Sequence, residues 1–167
     1  MLNGFVYPGL LSGLALLVYY FTLLRAGLAR IKYKVQAPAH SGPEAYERHV
    51  RAHQNTLEHL ALFLPGLWLF SFAVSPLWAA AIGAIWPVGR LLYALGYYQA
   101  AEKRSIGLYM SMPPIYIFVL GSIIAFSLNR RRRKIGRGAP AARSAGVDRA
   151  WAARRTRHPS PHTFSSW

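Results

Sequence analysis

The chain has 167 residues, 53% of them apolar and only 15% charged, with a mean hydropathy of +0.18, a composition too apolar for an ordinary soluble domain. The net charge of +15 is spread unevenly, since eleven of the twenty Lys and Arg follow Ser127 beside a single acid. With no cysteine, disulfide frameworks, protein thiolate nucleophiles and Cys-ligated zinc are all excluded.

Residues 1–24 carry no Asp, Glu, Lys or Arg, a run longer than the roughly 20 residues a helix needs to cross the hydrocarbon core. It reads as a retained span rather than a signal peptide, because no positive segment precedes it and Arg25, Arg30, Lys32 and Lys34 follow it. The next charge-free stretch, residues 59–89, is broken at Ser75-Pro76, and another runs over residues 105–129. Residues 59–89 are too few for two crossings of about 20 residues each, so both helices must extend into charged sequence. The second reaches back through Glu58, Asn55 and Arg51; the third reaches forward through Arg90, Tyr93 and Tyr97.

The expected architecture is an all-α integral membrane bundle of four transmembrane helices, at residues 3–26, 45–74, 77–102 and 106–128. A polar connection with Pro38 and Gly42 follows the first, and the later links are short, which makes successive helices antiparallel. Pro113-Pro114 falls inside the fourth helix, where a kink is expected. Residues 1–128 form the membrane domain, and residues 129–167 form a basic tail with the composition of disorder.

Ionisable groups at membrane depth face the bundle interior or one another, and by default they mark a site. Arg48, Arg51, Asn55 and Glu58 are spaced three, four and three, so they share a face of the second helix. Arg90, Tyr93, Tyr97 and Arg104 share a face of the third, provided that helix continues to Arg104. A small zwitterion with two carboxylates and one amine would match arginines, Glu58, Asn55 and the tyrosines. The alternative is an internal pairing of Arg51 with Glu58. His49 and His53 stand at i, i+4, but no third ligand is evident and no metal is expected. Aromatic residues are sparse in the tail, so no nucleic-acid partner is expected.

The segments ERHVRAHQNTLEHLALFLP, residues 47–65, and GRLLYALGYYQAAEKRSIGLY, residues 89–109, together resemble the MAPEG family, the membrane-associated proteins of eicosanoid and glutathione metabolism. The resemblance implies a four-helix protomer in a homotrimer, with glutathione as co-substrate bound between neighbouring protomers near one membrane face. Arg51, Asn55, Glu58, Tyr93 and Tyr97 are similar to the glutathione-binding set, with Arg30 and His53 as secondary members. Arg104 matches the arginine that stabilises the glutathione thiolate, and Ser105 beside it resembles a serine that helps to activate the thiol in the prostaglandin E synthase branch. Ser105 is equally placed to cap the fourth helix. His59, Thr56 and Ile31 depart from the patterns of the eicosanoid branches.

The implied activity is a glutathione transferase or peroxidase acting on lipophilic electrophiles that approach from the bilayer. A non-catalytic lipid-binding scaffold of the same fold, a glutathione-dependent isomerase and a small transporter are the alternatives. The localisation expected is a multi-pass protein of a bacterial inner membrane or an ER-type membrane. The uncharged N-terminal flank and the basic loop after the first span put the site on the cytosolic side.

Overall fold

The computed structural model describes residues 3–155, with side chains for residues 4–130. Its helices are α1 (Val6–Lys32), α2 (Glu44–Ala73), α3 (Pro76–Gly83), α4 (Ile85–Gln99) and α5 (Ser105–Arg155), with 3-10 turns at Asn3–Phe5 and Glu102–Arg104. α3 and α4 follow one another across Ala84 and form one crossing, Pro76–Gln99, so four segments are long and apolar enough to span a bilayer. The chain is a multi-pass integral membrane protein with the expected all-α, four-span architecture.

The boundaries differ from expectation where local chemistry overrides hydropathy. α1 runs past residue 26 to Lys32, because Arg30 and Lys32 are good helix formers and favourable cations in a last turn. The third crossing starts where Ser75 accepts the Trp78 N–H at 3.5 Å ahead of Pro76 in the first turn. It breaks at Ala84, because Pro87 has no N–H to offer the Gly83 carbonyl. It ends at Gln99 rather than residue 102, since Ala100 is extended. The expected tail begins inside α5, whose helical backbone continues to Arg155; the rest of that tail, and its side chains past residue 130, lie outside the described residues. Contacts divide the chain into two units, and the first, which ends at Phe126, holds every residue of the core and the clefts described below.

All four crossings contribute to one buried cluster. Phe63 of α2 stacks on Trp86 of α4 at 4.4 Å between ring centroids, and both Phe63 and Phe70 meet Phe118 of α5. Leu11 and Ala15 of α1, Ala79 of α3 and Ile115 of α5 complete it. Leu10, Leu17, Leu62, Phe72, Ile123 and Ile124 point outward instead, the arrangement of a bundle whose solvent is lipid. Lipid tails are as apolar as leucine, so close packing and small residues must hold such helices together. Gly107 of α5 lies against the α4 backbone, where an added Cβ would overlap the Tyr93 nitrogen and the Gly89 carbonyl oxygen. A Cβ on Gly96 would overlap the Lys103 carbonyl. These glycines form a seam with backbone against backbone.

Gly107→Ala should therefore overpack the seam and destabilise the protein by about 1–3 kcal/mol or more, since backbone rather than a movable side chain must yield. Gly13→Ala, where nothing lies within 4 Å, should leave stability unchanged or raise it by about 0.5–1 kcal/mol. Thermal unfolding in detergent, followed by circular dichroism, separates the two outcomes.

Candidate functional site

α2 and α4 are joined by one buried cation. Arg90 has no exposed surface, and its Nη2 donates to Thr56 Oγ1 at 2.9 Å and to Asn55 Oδ1 at 3.2 Å. The Thr56 hydroxyl proton goes to the Ala52 carbonyl at 2.7 Å, which leaves an oxygen lone pair for Arg90. The guanidinium also lies 4.1 Å from the centroid of the Tyr93 ring, one turn further along α4. Asn55, its oxygen held by Arg90, donates through Nδ2 to Glu58 Oε2 at 3.3 Å. A directed chain of hydrogen bonds thus runs from buried Arg90 through Asn55 to exposed Glu58.

A second chain runs along α4. The Tyr93 and Tyr97 rings lie 5.7 Å apart, and the Arg104 guanidinium sits 4.8 Å from the Tyr97 centroid. The sequence expectation placed Arg104 on this face by continuing the helix, but α4 stops at Gln99. Arg104 arrives instead on the Glu102–Arg104 turn, which the bare Cα of Gly96 allows to fold back against α4.

Between the two chains lies a cleft of about 170 Å³ lined by Arg51, Gln54, Asn55, Glu58, Tyr93, Tyr97 and Arg104. Six of these residues were read as a set from sequence. Gln54 was missed, although its spacing of three from Arg51 and four from Glu58 puts it on the same face. Arg51 and Glu58 do not pair with each other; among the described residues the one ion pair joins Arg48 to Glu44 at 2.6 Å. The cleft offers two cations, one carboxylate, two amides and two phenols, a set that can hold a zwitterion with excess negative charge.

Three expected members lie elsewhere. Arg30 and His53 line a separate cleft of about 290 Å³ between α1 and α2, together with Tyr46, Val50 and Gln54. There Arg30 Nη1 donates to the Gln36 and Ala39 carbonyls at 3.3 and 2.9 Å and so straps down the connection after α1, while the His53 ring packs against Tyr19. Ser105 is outside the α2–α4 cleft, and its hydroxyl donates back to the Glu102 carbonyl at 3.0 Å. Adjacency to Arg104 in sequence does not bring it into this cleft, because Ser105 opens α5. His49 spends its Nδ1 proton on the Ala45 carbonyl at 2.7 Å and stacks on Tyr98.

Comparison with known proteins bears on this geometry. The profile of the MAPEG family matches residues 8–124, which include every residue of both clefts. An uncharacterised protein of Synechocystis sp. is 47% identical over 120 residues, 72% of this chain and 88% of its own length. Microsomal glutathione S-transferase 2 of Homo sapiens is 38% identical over 101 residues, 60% of this chain and 68% of its own. Leukotriene C4 synthase of Bos taurus is 35% identical over 104 residues, 62% and 69% of the two chains.

Proposed function

The chain belongs to the MAPEG family, and on that premise we propose that it is a glutathione-dependent membrane transferase, joining the glutathione sulfur to lipophilic electrophiles or using it to reduce lipid hydroperoxides. The observation that carries this reading is the α2–α4 cleft, which gathers Arg51, Asn55, Glu58, Tyr93, Tyr97 and Arg104 from two helices and a turn. Glutathione has two carboxylates, one ammonium, two amides and a thiol, and the cleft offers cations, a carboxylate, side-chain amides and phenols to meet groups of these kinds. Arg51 takes a carboxylate as a charge-assisted pair. Glu58, which meets Asn55 through Oε2, has Oε1 for the ammonium. Arg104 stands beside the sulfur, where a cation favours the charged form of the thiol and so the nucleophile. In conjugation the thiol proton leaves to solvent, the sulfur lone pair forms the bond to the electrophilic carbon, and the displaced electrons leave with the leaving group. Ile106 and Tyr109, just beyond Arg104 on α5, are 75% and 72% exposed, an apolar approach for a substrate dissolved in the bilayer.

The same cleft supports an oligomer. Its volume of about 170 Å³ falls below the roughly 300–1,000 Å³ of small-ligand sites. Arg51, Gln54 and Glu58 are exposed on a membrane-spanning helix, where charge facing lipid is costly. A second copy that lays its α1–α2 cleft over this one removes both problems and brings Arg30 and His53 to the ligand. We take the assembly to be the homotrimer that the family resemblance implies.

Three outcomes are expected. Arg51→Ala and Glu58→Ala should each weaken glutathione binding about tenfold or more, the loss of a charge-assisted bond of roughly 1.5–3 kcal/mol, as read by isothermal titration in detergent. Parent-like affinity in Glu58→Ala would remove Glu58 from the ligand's contacts. Sedimentation in mild detergent should give a trimer, and a monodisperse monomer that binds glutathione would refute the shared site. Arg104→Ala should abolish the thiolate absorbance of bound glutathione at neutral pH while changing affinity only a few-fold. Its activity should recover in part as pH rises and the thiol ionises without help. Equal loss at every pH, with binding lost too, would make Arg104 a carboxylate anchor.

A further inference from the structure

Arg90 lines neither cleft, yet it is fully buried and has no carboxylate within ion-pair distance among the described residues. Its Nε and Nη1 have no hydrogen-bond partner there either, so its polar bonding falls to Nη2 alone, on Thr56 and Asn55. Thr56 is a fixed acceptor: it is buried within α2, and its hydroxyl proton is committed to Ala52. Asn55, the other acceptor, is half-buried and lines the α2–α4 cleft, and an asparagine amide that nothing holds can turn over and exchange its donor for its acceptor. In the flipped state Asn55 would present an oxygen to Glu58, and the carboxylate would turn away.

From this arrangement we infer that Arg90 is a positioning residue for the glutathione site, acting through Asn55 to set the direction in which Glu58 presents its carboxylate. The inference rests on the reading of the α2–α4 cleft as that site. Arg90 itself touches no ligand. Thr56 anchors the guanidinium, the guanidinium holds the Asn55 oxygen, and the Asn55 amide holds one oxygen of Glu58, so the other keeps a constant aim. Tyr93 is drawn into the same device, since its ring covers the guanidinium from the α4 side and is thereby fixed where it lines the cleft.

The test uses the full chain in detergent and two variants. Arg90→Lys keeps the charge but loses the planar fork. Thr56→Val keeps the shape of a side chain that lines no cleft and removes the anchor, so it serves even where Arg90→Lys fails to fold. The chain has three asparagines, Asn3, Asn55 and Asn129, so ¹⁵N-asparagine labelling resolves the Asn55 side-chain amide without ligand. Both variants are expected to speed exchange of that amide with water at least about threefold and to weaken glutathione binding by about tenfold for Arg90→Lys and about threefold for Thr56→Val, with kcat at saturating glutathione within about twofold of the parent. Thr56→Ser, which keeps the hydroxyl, should restore both signals. In an Asn55→Ala background, Arg90→Lys should cost less than about twofold in affinity, because the two residues act as one unit.

A folded variant with parent affinity and an unchanged Asn55 amide would overturn the inference, as would additive losses from Arg90→Lys and Asn55→Ala. A parent that binds no glutathione, while its Asn55 amide loosens in both variants, refutes the transferase reading and supports the positioning of Asn55 by Arg90. The two failures are thus distinguishable.

Discussion

A guanidinium enclosed in a membrane bundle is costly unless oxygens and a π face replace its water. Arg90 finds these replacements on two helices at once, two oxygens from adjacent residues of α2 and the ring of Tyr93 on α4. That requirement fixes the rotation of one helix against the other. A shift of α2 by a single residue would turn Thr56 about 100° away from Arg90 and leave the cation bare. The aromatic contact of Phe63 with Trp86 sets the spacing deeper in the bundle, but flat rings tolerate sliding more readily than a hydrogen-bonded fork. The site-forming faces of α2 and α4 are therefore aligned by a residue that is not itself in the cleft.

Along α4 and the turn after it, Arg90, Tyr93, Tyr97 and Arg104 alternate two cations at the ends with two rings between them. The rings keep the like charges apart and present π faces to both. With Arg51 opposite and Glu58 as the only acid in the lining, the cleft is electropositive toward its open side. Such a lining suits an anionic ligand before any particular hydrogen bond forms, and its one carboxylate suits a ligand that also carries an ammonium.

Much of this was legible in the sequence because membrane helices obey a strict rule. Two crossings had to share too short an apolar stretch, so Glu58 and Arg90 had to lie on membrane helices, and helical spacing placed Arg51, Asn55 and Glu58 together; Arg90 is indeed enclosed, whereas Glu58 is exposed at the cleft. What failed to show were features decided by backbone contacts between distant residues. The stop at Gln99 and the fold-back of Arg104 depend on Gly96 meeting Lys103, a contact between chain segments rather than a propensity of either. The break at Ala84 follows from Pro87, a visible residue whose effect was outweighed by the hydropathy around it. Family resemblance grouped Arg30 and His53 with the main set, but in this chain they line a second cleft, and α2 stands between the two. Ser105 is a neighbour of Arg104 in sequence but does not line the α2–α4 cleft, since a turn gives way to a helix between them and its hydroxyl turns back to Glu102.

The glycine seam has a consequence for how the chain tolerates changes of length. The link between Gln99 and Ser105 is pinned on both sides, by Gly96 against Lys103 and by Gly107 against the α4 backbone. One inserted residue could be absorbed only by turning the following helix through about 100° or by prying the seam apart. The link thus behaves as a fixed-length clasp, whereas the longer connection after α1, tethered by the side chain of Arg30, has slack to lose. Insertions, tags and protease sites belong in the second of these connections, and natural length variation among relatives is expected to collect there and to spare the clasp.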